Sequence, residues 1–330
     1  MKALLKAMII RLIFSTIMSS IIAKIRYKLV LRFVRFLYLR FRLEALKAVF
    51  DPNVIRKLIK VNFTKKMVIT RIGNVPGSYV LDLNDHLGYN IFITNKVDTN
   101  LIVVGNKLNF TNETILLDIG ANTGLMCIPF ALFFNCEVIA IEASKANSSL
   151  LLQNASLNNA KLFLHSVCVT DHKSALESPW IKLFGRSGNS GATSIYSGWN
   201  PSKKEVEKQK MEIVPATTMD DLIPRVHLNR IGLIKIDVEG AEALVLKGFN
   251  NIFSIHVPII FEYRIDLLKR ISSIDVSEFI KVLELHYKLF SFKIINNQLE
   301  LSNFDYSVSQ ENAIGLPKDK LEYFLSKLEV

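Results

Sequence analysis

The sequence predicts an α/β protein built on an open, mostly parallel sheet, and three stretches carry that prediction. Thr114–Gly124 (TILLDIGANTG) reads as a buried strand, Ile115 to Leu117, that ends in an acid and breaks into a turn bracketed by Gly120 and Gly124. Glu137–Glu142 (EVIAIE) repeats the pattern, an apolar strand ending in an acid, and Ile231–Val238 gives it a third time, ending at Asp237. The first two run straight into helical patterns, Leu125–Phe134 and Ser144–Leu157, the second with Ser144 as its N-cap. Strands that alternate with helices form βαβ units and hence a parallel sheet.

Taken in order, the chain begins with a basic arm over residues 1–60. Residues 1–50 carry eleven Lys/Arg against one acid, Glu44, so of the net charge of +11 only +1 remains for 51–330, from 30 basic and 29 acidic residues. A nearly neutral body excludes a broad phosphate-binding face and makes nucleic acid an unsuitable partner. The longest uncharged run of the arm, Leu12–Ala23, has twelve residues, short of the roughly 20 that span a bilayer. Arg32, Arg35 and Arg42 then recur at helical spacing among Leu, Phe, Val and Tyr, the pattern of an amphipathic helix lying on an anionic membrane surface. A basic-faced helix packed on the body gives the same pattern. Residues 61–113 read as a small β-rich lead-in with strands at Met67–Arg71, Ser78–Leu83 and Asn90–Thr94. The main domain covers 114–330, with a third strand over Lys161–Val169 and an irregular insertion from about 170 to 212. Within it the small, polar run Gly185–Ser194 has the composition of a lid or acceptor loop. Further strands fall at Met211–Val214 and Val257–Tyr263, then a helix at Ser277–His286, a terminal strand pair (Leu289–Ile295 and Gln298–Ser302), and a short helix after Pro317. The three cysteines, Cys127, Cys136 and Cys168, form no CxxC pair and read as buried thiols of a reducing, cytoplasmic compartment.

The chemistry follows from the strand ends. Glu142, 24 residues after Asp118, is placed to accept the ribose hydroxyls of a nucleoside. The GANTG turn lacks the third glycine and basic helper that a dinucleotide pyrophosphate needs, which disfavours a nicotinamide-dependent oxidoreductase. A sulfonium amino acid in place of pyrophosphate removes that need and sets Asp118 beside an ammonium group. Asp237 and Glu239 face the same cleft, where a carboxylate could take a proton from a hydroxyl or hold a divalent ion. Glu242 reads as a helix N-terminal residue favoured by the dipole. His165, His172, His227 and His256 have no motif context.

LDIGANTG, Glu142-Ala143-Ser144 and above all IKIDVEGAE (Ile234–Glu242), with Thr217–Leu222 just before the fourth strand, resemble the FkbM-type methyltransferase family. The resemblance implies a seven-stranded class I (Rossmann-like) methyltransferase sheet and S-adenosylmethionine as cofactor. It implies methyl transfer to a hydroxyl oxygen, on a glycan or small metabolite. By the same resemblance Asp118, Gly120, Asn122 and Gly124 surround the methionine moiety, Glu142 holds the ribose, and Asp237 and Glu239 lie near the transferred methyl as catalytic residues, with no metal site assigned. The family often has Glu-Pro after the second strand where this chain has Glu142-Ala143. The contrasting reading is a membrane-associated protein on a methyltransferase fold without activity.

Overall fold

The computed structural model describes residues 67–186, 188–195, 209–223, 225–271 and 276–328, and the basic arm lies outside them. From Met67 onward the chain clusters as one compact unit. Fourteen strands are described. β1 (Met67–Arg71) and β2 (Ser78–Asp82) form a hairpin, and β3 (Ile115–Ile119), β4 (Glu137–Ile141) and β5 (Leu162–His165) are the first strands of the main sheet. β6 (Cys168–Val169), β7 (Trp180–Arg186), β8 (Asn189–Ser194) and β9 (Gln209–Thr217) form a separate small sheet. β10 (Ile231–Ile236), β11 (Ile259–Tyr263), β12 (Tyr287–Ile295), β13 (Gln298–Asn303) and β14 (Gln310–Pro317) complete the main sheet, whose order is β13-β12-β14-β11-β10-β3-β4-β5.

The five strands from β5 to β11 are parallel, and β14, β12 and β13 are each antiparallel to the strand before them in that order. Alternation along the parallel strands divides the core between two faces. Ile115, Leu117, Ile119, Ile139 and Ile141 join one cluster, while Leu116, Val138 and Ala140 join the other. Both faces are covered, so these strands read as nearly continuous apolar runs. Val276–His286 covers the first face through Phe279, Ile280 and Leu283, and Cys127–Phe134 covers the second, where Phe110 meets Phe130 edge-on at 4.8 Å.

β2 is attached to the helix Lys145–Leu157 by two asparagines one turn apart. Asn154 Oδ1 accepts from the Val80 amide (2.7 Å), and Asn158 both accepts from the Ser78 amide (2.8 Å) and donates to its carbonyl (2.7 Å). The carboxamides thereby supply what a neighbouring strand would supply.

Four expectations are corrected here. Asn90–Thr94 is not a strand but the end of a helix, His86–Thr94, because Asp85 caps it through the amides of Leu87 and Gly88. Residues 67–113 therefore form one hairpin and two helices. Lys161–Val169 splits into β5 and β6, which belong to different sheets. Ser144 stands at the N-cap as expected, in extended backbone, but its hydroxyl donates to Glu212 (3.2 Å) rather than to the first helix amides. The described residues of the 170–212 insertion form a short helix, His172–Glu177, the β7–β8 hairpin and the start of β9 rather than irregular chain, while 196–208 lie outside the described residues. The terminal pair β12–β13 forms as expected, but a further strand, β14, lies between β12 and β11, and the sheet has eight strands rather than seven.

The β3 and β10 ends interlock tightly. Gly120 sits at φ 85°, and a Cβ there would lie 1.8 Å from the Asp237 carbonyl oxygen. Gly120→Ala is expected to destabilise the fold by about 2 kcal/mol or more, from the strained φ and the forced turn displacement together. A urea midpoint matching that of the wild-type chain would contradict this packing.

Candidate active site

The order of the main sheet reverses direction of travel between β3 and β10, and ligands of open α/β sheets bind outside the carboxyl ends of strands at such a point. A cavity of about 300 Å³ lies there. It is lined by all seven predicted site residues except Gly124, which has φ 79° and where a Cβ would lie 2.6 Å from the Ile128 side chain.

Asp118 and Lys235 are direct partners in the β3–β10 register, so their side chains leave the same face of the sheet. Lys235 Nζ lies 3.2 Å from Asp118 Oδ1 and 3.2 Å from Asp237 Oδ2. Asp118 is fully buried, and the two carboxylates raise the lysine pKa against the opposing effect of burial. The other carboxylate oxygen, Asp118 Oδ2, is buried without a hydrogen-bond partner among the described residues. That orphaned acceptor at the cavity wall suits an ammonium group. The positive-φ backbone of Gly120 and Asn122 beside it leaves room for a ligand to lie close to the chain.

Glu142 is held from both sides. Its Oε2 accepts from the Asn122 amide (2.8 Å) and its Oε1 from the Ser144 amide (2.9 Å), which fixes the acid against the turn. Burial, which outweighs these bonds, pushes its pKa up to about 7. The β10 turn is built in parallel. Glu242 Oε1 accepts from the amides of Val238 (3.0 Å) and Gly240 (3.2 Å), and burial pushes its pKa up to about 7. Glu242 thus braces the turn from the first turn of a helix. Glu239 occupies the left-handed region at φ 53°, and burial followed by the charges of Asp237, Glu262 and Glu242 pushes its pKa up to about 8. Asp237 is more open, with 39% of its side chain exposed.

The run Gly185–Ser194 comprises the end of β7, the hairpin turn and β8, and Ser190, Gly191, Thr193 and Ser194 line the cavity. The Ser190 amide and hydroxyl both donate to Asp85, the Asn147 amide donates to the Ser190 carbonyl (3.3 Å), and the Ser194 hydroxyl donates to the Glu239 carbonyl (3.2 Å). One carboxylate, Asp85, therefore caps a helix and anchors the hairpin over the site. The histidines lie elsewhere: none lines the cavity, His172 is 3.2 Å from Asp220, and His256 is 2.9 Å from Asp319. Among the described residues no group of three or more His, Cys, Asp or Glu side chains is placed to hold a metal ion, and no helix is long and apolar enough to cross a membrane.

Sequence reasoning missed Lys235, Asp85, Asn147 and Ser190. The signal for Lys235 was present, since it is the one charged residue of an otherwise apolar strand, IGLIKI. The other three act through contacts 43 or more residues apart, which leave no local pattern.

Two outcomes test this electrostatic arrangement. Lys235→Met strands two carboxylates, one of them fully buried, and is expected to cost about 3–5 kcal/mol in urea unfolding, with part of the loss recovered by adding Asp118→Asn. The buried acids set a pH dependence. Folded Glu142, Glu239 and Glu242 hold protons that the unfolded chain releases above its carboxylate value of 4.5. Stability therefore falls as pH rises from about 4.5 through 8. Thermal midpoints taken across that window should decline, and Glu242→Gln should decline less steeply.

A family model described as the methyltransferase FkbM domain matches residues 118–306, more than half of the chain. Solved structures with a similar fold include a precorrin-6y C5,15-methyltransferase from Geobacter metallireducens (12% identity, 66% of this chain and 87% of that one, TM-score 0.34). Another is M. jannaschii TYW2 in complex with AdoMet (12% identity, 77% and 86%, TM-score 0.35). A third is the Pyrococcus abyssi tRNA (uracil-54, C5)-methyltransferase in complex with S-adenosyl-L-homocysteine (10% identity, 77% and 44%, TM-score 0.37). No curated protein matches the chain. With its IKIDVEGAE strand and turn inside the matched range, the chain belongs to the FkbM methyltransferase family.

Proposed function

We propose that the protein is an S-adenosylmethionine-dependent O-methyltransferase acting on a hydroxyl of a glycan or small metabolite. The observation that carries this reading is the buried, unpartnered Asp118 Oδ2 at the end of β3, in one cavity with Glu142 and Asp237. When bound, the cofactor supplies an electrophilic methyl carbon. Asp118 would hold its ammonium group, Gly120, Asn122 and Gly124 would hold its methionine part, and Glu142, already aimed by the Asn122 and Ser144 amides, would accept from its ribose hydroxyls.

The two catalytic candidates divide the work. Burial and the neighbouring acids push the Glu239 pKa up to about 8, near the operating pH, which suits it to exchange a proton beside the acceptor. Asp237 lines the same cavity with 39% of its side chain exposed, within reach of an acceptor, and is the group assigned to receive the proton of the acceptor hydroxyl. Orientation of that hydroxyl accounts for much of the acceleration. The β7–β8 hairpin, held by Asp85 and Ser194, limits the water that reaches the reacting atoms. Residues 1–50 are a proposed membrane-surface anchor on their charge and amphipathic spacing alone.

Calorimetry and label transfer into cell extract test the reading. S-adenosylmethionine should bind in the micromolar range, and Asp118→Ala should abolish that binding. Asp237→Asn should leave affinity within about twofold and lower turnover by about 10²–10⁴. Absence of cofactor binding by the wild-type chain would overturn the proposal and favour an inactive protein on this fold.

A further inference from the structure

We infer that the acceptor is a neutral, polyhydroxylated ring of the sugar class, bound in a second cavity on the other side of Asp237. The inference rests on the methyl-transfer reading above and identifies its substrate. The second cavity, of about 180 Å³, lies at the carboxyl ends of β10 and β11, and its polar lining is Asp98, Asn100, Asn312, Glu262, Lys235 and Asp237. Lys235, Asp237, Asp98 and Met126 line the first cavity as well. An oxygen seated in the second cavity can therefore meet the same carboxylate that borders the cofactor space. Glu239 lines only the first cavity.

The lining chemistry selects the acceptor. The Asn100 side-chain amide donates to Asp98 Oδ2 (3.2 Å) and to Asn312 Oδ1 (3.1 Å), while its backbone N–H donates to Asp98 Oδ1 (2.7 Å). These bonds join the segment before the sheet to β14 across 212 residues and set two carboxamides beside carboxylates. A hydroxyl both donates and accepts, so vicinal hydroxyls are matched by carboxylates that accept and carboxamides that do both. Phosphorylated or carboxylated acceptors are disfavoured. The wall holds three carboxylates against one ammonium, and that ammonium already lies between Asp118 and Asp237. A flat aromatic acceptor finds no stacking surface, because Phe261 and Phe292 are each only 2% exposed.

The origin of the residues separates chemistry from specificity. Lys235, Asp237 and Glu262 lie within the family-matched range 118–306, whereas Asp98, Asn100 and Asn312 lie outside it. The matched domain thus contributes the reacting carboxylate, and segments on either side of the matched range contribute groups that hold the acceptor.

The test uses the full chain with S-adenosylhomocysteine and saturation-transfer NMR. The neutral probes are the methyl glycosides of glucose, galactose, mannose and fucose, and the contrast probes are glucose 6-phosphate, glucuronate and 4-nitrophenol. Label transfer from tritiated S-adenosylmethionine is measured on the same panel. A neutral glycoside should bind and accept label, and the contrast probes should not. Asn100→Ala and Asn312→Ser, at residues that line only the second cavity, should each weaken glycoside binding tenfold or more, while calorimetric affinity for S-adenosylmethionine and thermal midpoint stay near wild type. Cofactor binding without any neutral glycoside binding overturns the inference, as does preference for a charged or aromatic probe, or glycoside binding that survives both variants. Loss of cofactor binding in the wild-type chain overturns the methyl-transfer reading itself, so the two failures are distinguishable.

Discussion

A single buried ammonium holds the site together. Lys235 stands 3.2 Å from both Asp118 and Asp237, and the three charges sit where the direction of the sheet order turns. A fully buried carboxylate would otherwise shed its charge or unfold its surroundings. The register that makes Lys235 the neighbour of Asp118 also makes this pairing a consequence of β3 and β10 lying side by side. Lysine suits the position because its compact charge on a flexible stem can reach two oxygens that do not share a plane. Through that contact the interior acid has a charged partner, and the more exposed one is held at the border between two cavities.

Around this triad the two functional turns are built by one device used twice. In each, a buried glutamate accepts two backbone amides through its side chain: Glu142 from Asn122 and Ser144, Glu242 from Val238 and Gly240. Because the turns also touch at Gly120 and the Asp237 carbonyl, neither can relax without the other. Residues at φ 51° (Asn122) and φ 53° (Glu239) are tolerated because neighbouring bonds over-determine the backbone there. The result is a preorganised floor for a ligand, with the hairpin fastened over it by Asp85.

Much of this floor was legible because its signals are local. The acids at the ends of β3, β4 and β10 follow directly on apolar runs, and Gly120 comes two residues after Asp118 and Gly240 three after Asp237. What escaped is non-local or competes with a local preference. Ile91-Phe92-Ile93-Thr94 has strong strand propensity, yet Asp85 and a close contact between Gly88 and the Asp82 carbonyl commit the segment to a helix. The β7–β9 pairing joins Trp180 to Pro215, and small polar residues in the hairpin disguise it as loop. β14 begins polar and ends in Gly-Leu-Pro, so its strand character comes from two flanking strands rather than from its own pattern. The acceptor side of the site inherits this difficulty, since Asn100 and Asn312 meet only through that topology.

The position of β14 also orders the assembly of the protein in time. It pairs with β11 on one side and β12 on the other, both of which precede it in the chain. On a ribosome, residues up to Ile295 can emerge and begin to fold while the slot between those strands is still open, with the main-chain groups facing it unpaired. The sheet can close only when residues 310–317 have left the tunnel, and the same event brings Asn312 to Asn100. A nascent chain could thus complete its β3–β10 centre before it has a complete second cavity, and the nascent sheet remains exposed to strand mispairing until β14 is in place.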